Sequence, residues 1–186
     1  MLKNILFSIS LMAIFVSPAL AQDTCSKSKF KLLDNSIPFG TPEGKVEALV
    51  KKNFGRNAVV VKPRADLIAV AFTKPYKNFD RIIFLTRGGV VTRVLFGYAK
   101  SFTSSLGSAT DVLKIMLPKL REKYGEHDDL NVDESESKAT FVWAEDGGAT
   151  LSFIIGDNTG PDLRFDCDAL EREAHKKAKN NANFGF

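Results

Sequence analysis

Apolar residues recur at helical spacing in two segments of the chain. In the first segment the repeating positions are Val46, Leu49, Val50 and Phe54. Thr41 and Pro42 precede them as a helix cap and a first helical residue would, and Gly55 follows as a stop. The pattern predicts a helix over 42–54.

The second helical segment is longer and contains a proline. Its apolar positions are Val112, Ile115, Met116, Leu117 and Leu120. Ser108 or Thr110 could cap this helix, and Gly125 would end it. Pro118 lies inside the pattern and lacks a backbone N–H, so we expect it to kink the helix or break it in two.

Runs rich in Val, Ile and Phe occupy much of the remaining chain and predict β-strands. The predicted strands cover 30–33, 58–62, 67–72, 81–86, 90–98, 139–145, 149–155 and 163–167. Glycine pairs at 88–89 and 147–148 mark hairpin turns, which indicates antiparallel meanders. The polar, acidic stretch at 126–137 is interpreted as a loop.

These elements predict an α+β fold, with one or two antiparallel meander sheets and two helices packed on one face. The order of helix then meander occurs twice, so a duplicated unit with halves at 37–98 and 107–168 is a second interpretation. Residues 22–168 form one predicted domain. Residues 169–186 are predicted to be a polar, partly disordered tail that begins as a short helix.

The first 21 residues have the pattern of a secretory signal peptide. Lys3 precedes an apolar run over 5–16, and Ala19 and Ala21 follow as small residues before a cleavage point. The apolar run is shorter than the roughly 20 residues that a bilayer-spanning helix needs. The sequence therefore predicts cleavage after Ala21, a periplasmic or secreted location, and a mature chain that does not span the membrane.

The two cysteines, Cys25 and Cys167, lie near the two ends of the predicted mature chain. An oxidising compartment favours a disulfide between them. Two free thiols or an intermolecular bridge are the alternatives, because the sequence does not show that the two Cα atoms come within reach. Neither cysteine belongs to a Cys-x-x-Cys motif, which argues against a thiol oxidoreductase.

The charge balance is mild. The chain has 26 basic and 22 acidic residues, for a formal net charge of +4. This excess is too small to indicate binding to nucleic acid, and mixed charge of this kind is typical of a soluble surface. We therefore expect a soluble protein without a nucleic-acid partner.

Motifs for catalysis are scarce. The sequence has no Gly-x-Ser-x-Gly segment, and its histidines are His127 and His175. Oxygen-bearing residues alternate within 126–137 as in a calcium loop, but the characteristic glycine and final acid of that loop are missing. We predict no catalytic residue, metal or cofactor. A metal-dependent hydrolase that uses His127 and Asp129 is the alternative from a different class.

A predicted hairpin tip at 74–80 combines two aromatic residues with two lysines. Tyr76, Lys77 and Phe79 are candidate binding residues, because exposed aromatic and basic side chains on a loop suit contact with a protein surface or a glycan. In the alternative, Tyr76 and Phe79 fold back and close the end of the core.

The segment 37–98 resembles small periplasmic α+β modules. The residues that carry the resemblance are Ile37, Gly40, Thr41, Val46 and Leu49, which open a helix that a meander follows. The similar modules are the outer-membrane assembly lipoproteins of the SmpA/OmlA type and the β-lactamase-inhibitor-like domains. This resemblance implies a non-catalytic, protein-binding role in the cell envelope.

The sequence therefore predicts an exported, soluble, non-catalytic protein that binds another envelope protein or peptide, through a strand edge or through the loop at 74–80. Besides the metal-dependent enzyme, a second alternative is a periplasmic protein that binds a small ligand or lipid. In that case the ligand would enter a cleft between the sheet and the apolar residues at 112–120.

Overall fold

The computed structural model describes Cys25 and residues 38–144, 148–156 and 160–183, with the side chains of 177–183 excepted. The predicted signal peptide and the predicted strand at 30–33 lie outside these residues. The helices are α1 (Glu43–Phe54), α2 (Lys100–Leu106), α3 (Ala109–Tyr124) and α4 (Asp168–Asn183), and a 3-10 turn follows α1 at Gly55–Asn57. The strands are β1 (Ala58–Arg64), β2 (Leu67–Tyr76), β3 (Phe79–Arg87), β4 (Val90–Tyr98), β5 (Asp129–Asp133), β6 (Lys138–Ala144), β7 (Ala149–Gly156) and β8 (Asp162–Cys167).

All eight strands belong to one antiparallel sheet in the order β1-β2-β3-β4-β8-β7-β6-β5. Consecutive strands are neighbours within each group of four, as in a meander. The fold is therefore α+β with an antiparallel meander sheet, which confirms the predicted fold class. The packing of two helices on one face stays a prediction.

The strand order is symmetric. When β1–β4 are exchanged with β5–β8, the order reads the same from the other edge, and the last strand of each half lies at the centre. Each half also begins with helical structure. This symmetry is what a duplicated helix-plus-meander unit would produce.

The core is built from alternate residues of the strands, because successive side chains of a strand point to opposite faces. Fully or almost fully buried strand residues include Ile68, Val70, Ile82, Phe84, Val94, Leu151 and Phe153. Val46 and Val50 of α1 and Val112, Met116 and Leu120 of α3 belong to the same buried cluster. Helices α1 and α3 thus bury their apolar stripes in the core, as the helical spacing predicts.

Two details of the helices differ from the sequence prediction. Thr41 does not cap α1, because its hydroxyl donates to the carbonyl of Pro38 at 2.6 Å and Pro42 takes the cap position. Pro118 does not break α3, which continues from Ala109 to Tyr124. The carbonyl of Lys114 loses its helical partner there, but Lys114 and Pro118 are both exposed, so water can bind that carbonyl.

Three elements were not predicted as the structure has them. The acidic stretch at 126–137 contains β5, so its interpretation as a loop was wrong over Asp129–Asp133. Helix α2 has no repeating apolar stripe and was missed. The tail helix α4 is 16 residues long and starts at Asp168, which makes it longer than the short helix expected.

A disulfide joins Cys25 to Cys167, with the two Cα atoms 6.0 Å apart. The predicted pairing is confirmed, and both residues are buried. It ties a segment near the start of the chain to the end of the central strand β8. Among the described helices, none combines the length and apolar character that crossing a membrane requires.

Candidate functional site

Exposed apolar side chains concentrate at the two edges of the sheet. In the part of the chain that the structure describes, five large apolar residues are exposed, and four of them lie on the edge strands β1 and β5. Their exposed fractions are 50% for Val59, 51% for Val61, 45% for Leu130 and 64% for Val132. An edge strand also presents unpaired backbone groups to which another chain can add.

The β1 edge carries features that oppose the addition of a strand. Pro63 has no N–H to donate, and its neighbours Lys62 and Arg64 are charged and exposed. The register of β1 against β2 also shifts between Val61 and Arg64, which interrupts the regular edge. Only the first half of β1 is therefore a regular strand edge.

The β5 edge is regular over all five residues. Leu130 pairs with Phe141 and Val132 with Ala139, so these apolar side chains lie on the same face as the buried Phe141. Asp129, Asn131 and Asp133 occupy the opposite face. Their partners on β6, which are Val142, Thr140 and Lys138, lie on that same face.

One backbone group of β5 is already bound by a side chain of the same strand. The N–H of Leu130 donates to the carboxylate of Asp129 at 2.9 Å, and the side-chain amide of Asn131 donates to that carboxylate at 3.0 Å. The carboxylate of Asp129 therefore partly occupies this edge. A strand added to β5 would have to displace it from the N–H of Leu130.

A cavity of about 370 Å³ lies next to β5, and we call it the β5 groove. Val132, Ala139 and Ile155 form one side of it, and they are consecutive partners across β5, β6 and β7. Ala109, Thr110 and Leu113 line it from α3. Several lining residues are small, among them Ala109, Ala139 and Gly156, which leaves space that a larger side chain would fill.

The mouth of the β5 groove is acidic. Asp133 and Glu134 line it together with Lys138, and Lys138 forms an ion pair with Glu136. The pKa of Asp133 is lowered, first by a hydrogen bond from the Ser135 hydroxyl and then by the backbone N–H of Glu136. Asp133 therefore stays ionised at neutral pH.

The predicted binding residues Tyr76, Lys77 and Phe79 lie at the β2–β3 hairpin. Tyr76 pairs directly with Phe79, and the turn between them consists of Lys77 and Asn78, both with positive φ. This is a tight two-residue turn. The structure thus brings the three residues together, at the end of two strands and not on a longer loop.

The two aromatic side chains of this hairpin pack against the core. The ring of Tyr76 lies 4.9 Å from that of Phe54 and 5.7 Å from that of Phe72. Phe79 lies 4.5 Å from Tyr98, and 5.1 Å from Phe96 on the same strand. This packing favours the alternative in which the pair closes the end of the core, and binding through the pair stays a prediction.

His127 and its acidic neighbours are engaged in local contacts. The His127 ring packs edge-on against Phe141, with 5.2 Å between ring centroids, and its Nδ1 lies 3.4 Å from the guanidinium of Arg121. Asp128 accepts a hydrogen bond from the backbone N–H of Ala144 at 2.7 Å. Within the described ranges, no group of three His, Cys, Asp or Glu side chains could hold a metal ion.

A second cavity, with a volume of about 670 Å³, lies at the N-terminal end of α3. Its lining includes Tyr98, Lys100, Ser108, Val112, Ile155 and Pro161. Val112, at the start of the predicted cleft along 112–120, lines this cavity, whereas Met116 and Leu120 farther along α3 are buried in the core. Binding of a small ligand between α3 and the sheet stays a prediction.

Burial affects the pKa of the phenol of Tyr98, which lines this cavity, and of the carboxyl of Asp162, which follows the lining residue Pro161 in the chain. Burial raises the pKa of Tyr98. Burial also raises the pKa of Asp162, although Arg81, whose guanidinium lies 3.1 Å from its carboxylate, lowers it by a smaller amount. Tyr98 therefore stays a neutral phenol.

Sequence reasoning missed the β5 groove although a signal was present. Residues 129–133 alternate polar and apolar side chains, which is the period of a half-buried strand. The same alternation places oxygen atoms at every second residue, and we interpreted it as a loop with calcium-like spacing. The groove itself depends on the packing of α3 beside β5 to β7, which periodicity within one segment does not reveal.

Comparison with known proteins gives little more. No family model matches the sequence, and no curated protein matches it. The crystal structure of a DUF4309 family protein (YjgB) from Bacillus subtilis subsp. subtilis str. 168 is similar, with a TM-score of 0.43 and 15% identity. The match covers 67% of this chain and 77% of that chain. At these values the similarity carries no conclusion about function.

Proposed function

We propose that this chain is an exported, non-catalytic protein that binds an extended segment of another envelope protein or peptide at the β5 edge. The observation that carries the proposal is the regular edge strand with Leu130 and Val132 exposed beside an unfilled groove. Export rests on the signal-peptide pattern at 1–21.

Addition of a strand to a sheet edge is a common way of binding extended peptides. Backbone hydrogen bonds supply affinity, and pockets for alternate side chains supply specificity. A net gain of about 0.5–1.5 kcal/mol per hydrogen bond limits what a five-residue edge can contribute. We therefore expect the side chains that enter the β5 groove to determine which segments bind.

The proposal is tested by selecting peptides from a random displayed library with the mature, disulfide-intact protein. We expect selected peptides to lose binding to the variant Leu130→Lys with Val132→Lys, because two ammonium groups would then stand where apolar side chains must pack. The matched control is Val59→Lys with Val61→Lys, which makes the same change on the β1 edge.

Both double variants alter exposed positions, so their melting temperatures should remain close to that of the parent protein. Selected peptides that bind the β5 variant as well as the parent would overturn the proposal, as would a library that yields no binder. Loss of binding with the β1 control instead would place the site at the other edge.

A second candidate function is the binding of a small ligand in the cavity of about 670 Å³ at the N-terminal end of α3. This volume lies within the range of ligand sites, about 300–1,000 Å³. Apolar walls from Val112 and Ile155 and a cationic side chain, Lys100, suit a small molecule with a negative group. A ligand released from the purified protein and lost with Ser104→Trp, at an exposed residue of the cavity lining, would favour it over peptide binding.

A further inference from the structure

We infer that the segment bound at β5 alternates basic and large apolar residues, and that one of its apolar side chains fills the β5 groove. This inference rests on the proposed function and names the chemistry of the partner. It follows from the different character of the two faces of β5.

Strand geometry predicts large apolar side chains at alternate positions of the bound segment. In a strand added to β5, alternate side chains would face the same side as Leu130 and Val132. A side chain next to Val132 continues the row Val132, Ala139 and Ile155 that lines the groove. The groove volume of about 370 Å³ lies at the small end of ligand pockets and suits a large side chain such as Phe or Leu.

The charge of the β5 edge predicts basic side chains at the intervening positions of the bound segment. The segment 126–137 holds six carboxylates and no Lys or Arg, in a chain whose net charge is +4. Asp129 and Asp133 lie on the face of β5 opposite Leu130, and Glu134 is exposed at the groove mouth. Lys or Arg at the intervening positions of an added strand would stand beside Asp129 and Asp133, where opposite charges attract across strands.

The same charges argue against a second copy of this chain as the occupant. If two β5 strands paired antiparallel about Asn131, Asp129 of each would face Asp133 of the other. Like charges directly opposite in a sheet are destabilising. The acidic edge therefore disfavours self-association and leaves the edge open to a basic segment.

The probe is a fluorescent synthetic peptide in which lysine alternates with valine and one central valine is replaced by phenylalanine. Two matched peptides carry glutamate in place of every lysine, or alanine in place of the phenylalanine. We expect each change to weaken binding at least tenfold in fluorescence polarisation, and we expect added salt to weaken the lysine peptide further. Peptide changes leave the protein untouched, so this result does not depend on the folding of a variant.

Protein variants then locate the contact. Ala139→Leu should fill the groove and weaken the phenylalanine peptide at least tenfold, whereas Ala144→Leu, at an exposed position of the same strand, should not. Asp129→Asn with Glu134→Gln removes two charges with little change of shape and should reduce the salt dependence of binding. A melting temperature close to that of the parent protein would show that each variant folds.

The inference is overturned if the lysine peptide does not bind, if the glutamate peptide binds equally well, or if Ala139→Leu has no effect. These failures are separable from failure of the proposed function. Library peptides that depend on Leu130 and Val132 but are acidic or uncharged would leave β5 as the site and refute the partner chemistry. If no library peptide depends on Leu130 and Val132, the proposed function and the partner chemistry are both refuted.

Discussion

At the scale of single residues, the side-chain amide of Asn57 takes the place of a neighbouring strand, because it binds both the N–H and the carbonyl of Lys74. Its Oδ1 accepts hydrogen bonds from the backbone N–H of Lys74 at 2.9 Å and from the Thr73 hydroxyl at 2.7 Å, and its Nδ2 donates to the carbonyl of Lys74 at 3.0 Å. The β2–β3 register shifts between Ala71 and Tyr76 at this place. Asn57 therefore holds the irregular segment that positions the aromatic ring of Tyr76.

The aromatic pair of the β2–β3 hairpin provides a prediction at this scale. Tyr76→Ala with Phe79→Ala should lower the free energy of unfolding by several kcal/mol, on the order of the 3–5 kcal/mol found for large aromatic truncations in cores, because both rings pack against other core aromatics. Urea unfolding measures the change. Lys74→Ala, at an exposed side chain nearby, is the control.

An unchanged unfolding curve for the aromatic double variant, together with lost capture of a partner, would contradict this expectation. It would instead support the binding role predicted for Tyr76, Lys77 and Phe79. The unfolding curve and the capture of a partner together therefore distinguish the two roles.

At the scale of elements, the start of α3 shows how a cap is chosen between two candidates. The structure selects Ser108, whose hydroxyl accepts a hydrogen bond from the N–H of Asp111 at 3.3 Å, while the Asp111 carboxylate accepts one from the N–H of Ser108 at 3.0 Å. This reciprocal arrangement is a capping box. Thr110, the other candidate, lies inside the first turn.

Ser108→Ala should therefore lower the free energy of unfolding by about 1 kcal/mol, the typical effect of losing a cap. Thr110→Ala is the matched control and should be close to neutral, because alanine has the higher helix propensity. Thermal melts of both variants test this assignment. A larger loss with Thr110→Ala than with Ser108→Ala would refute it.

Elements with a strong apolar period were predicted from the sequence, and elements without one were not. Val46, Val50, Val112 and Met116 mark α1 and α3 because each helix must bury a stripe. Helix α2 has no buried residue, so its sequence gives no such signal. The alternation in β5 is short, with two apolar positions, and its polar positions were interpreted as a loop. The β4–β8 pairing depends on tertiary contacts between distant segments. The candidate site lies among these unpredicted features.

At the scale of the whole molecule, the disulfide links parts of the chain that are 142 residues apart. A cross-link over so long a loop restricts the unfolded chain and contributes up to about 5 kcal/mol in the chain-entropy description. Cys25→Ala with Cys167→Ala should therefore lower the melting temperature by roughly 10 °C. Reduction of the parent protein should have a similar effect, and a melt insensitive to both changes would show that the bridge adds no stability.

The central position of β4 has a consequence for how the chain folds. Arg93 on β4 pairs with Asp166 on β8, and these residues are 73 positions apart in sequence. Until β8 has been synthesised, the first half can form its own four-stranded meander, but the partner edge of β4 stays open. A nascent or truncated chain that ends before Asp162 therefore exposes a nine-residue, largely apolar edge, and premature termination should produce aggregation rather than a stable half-protein.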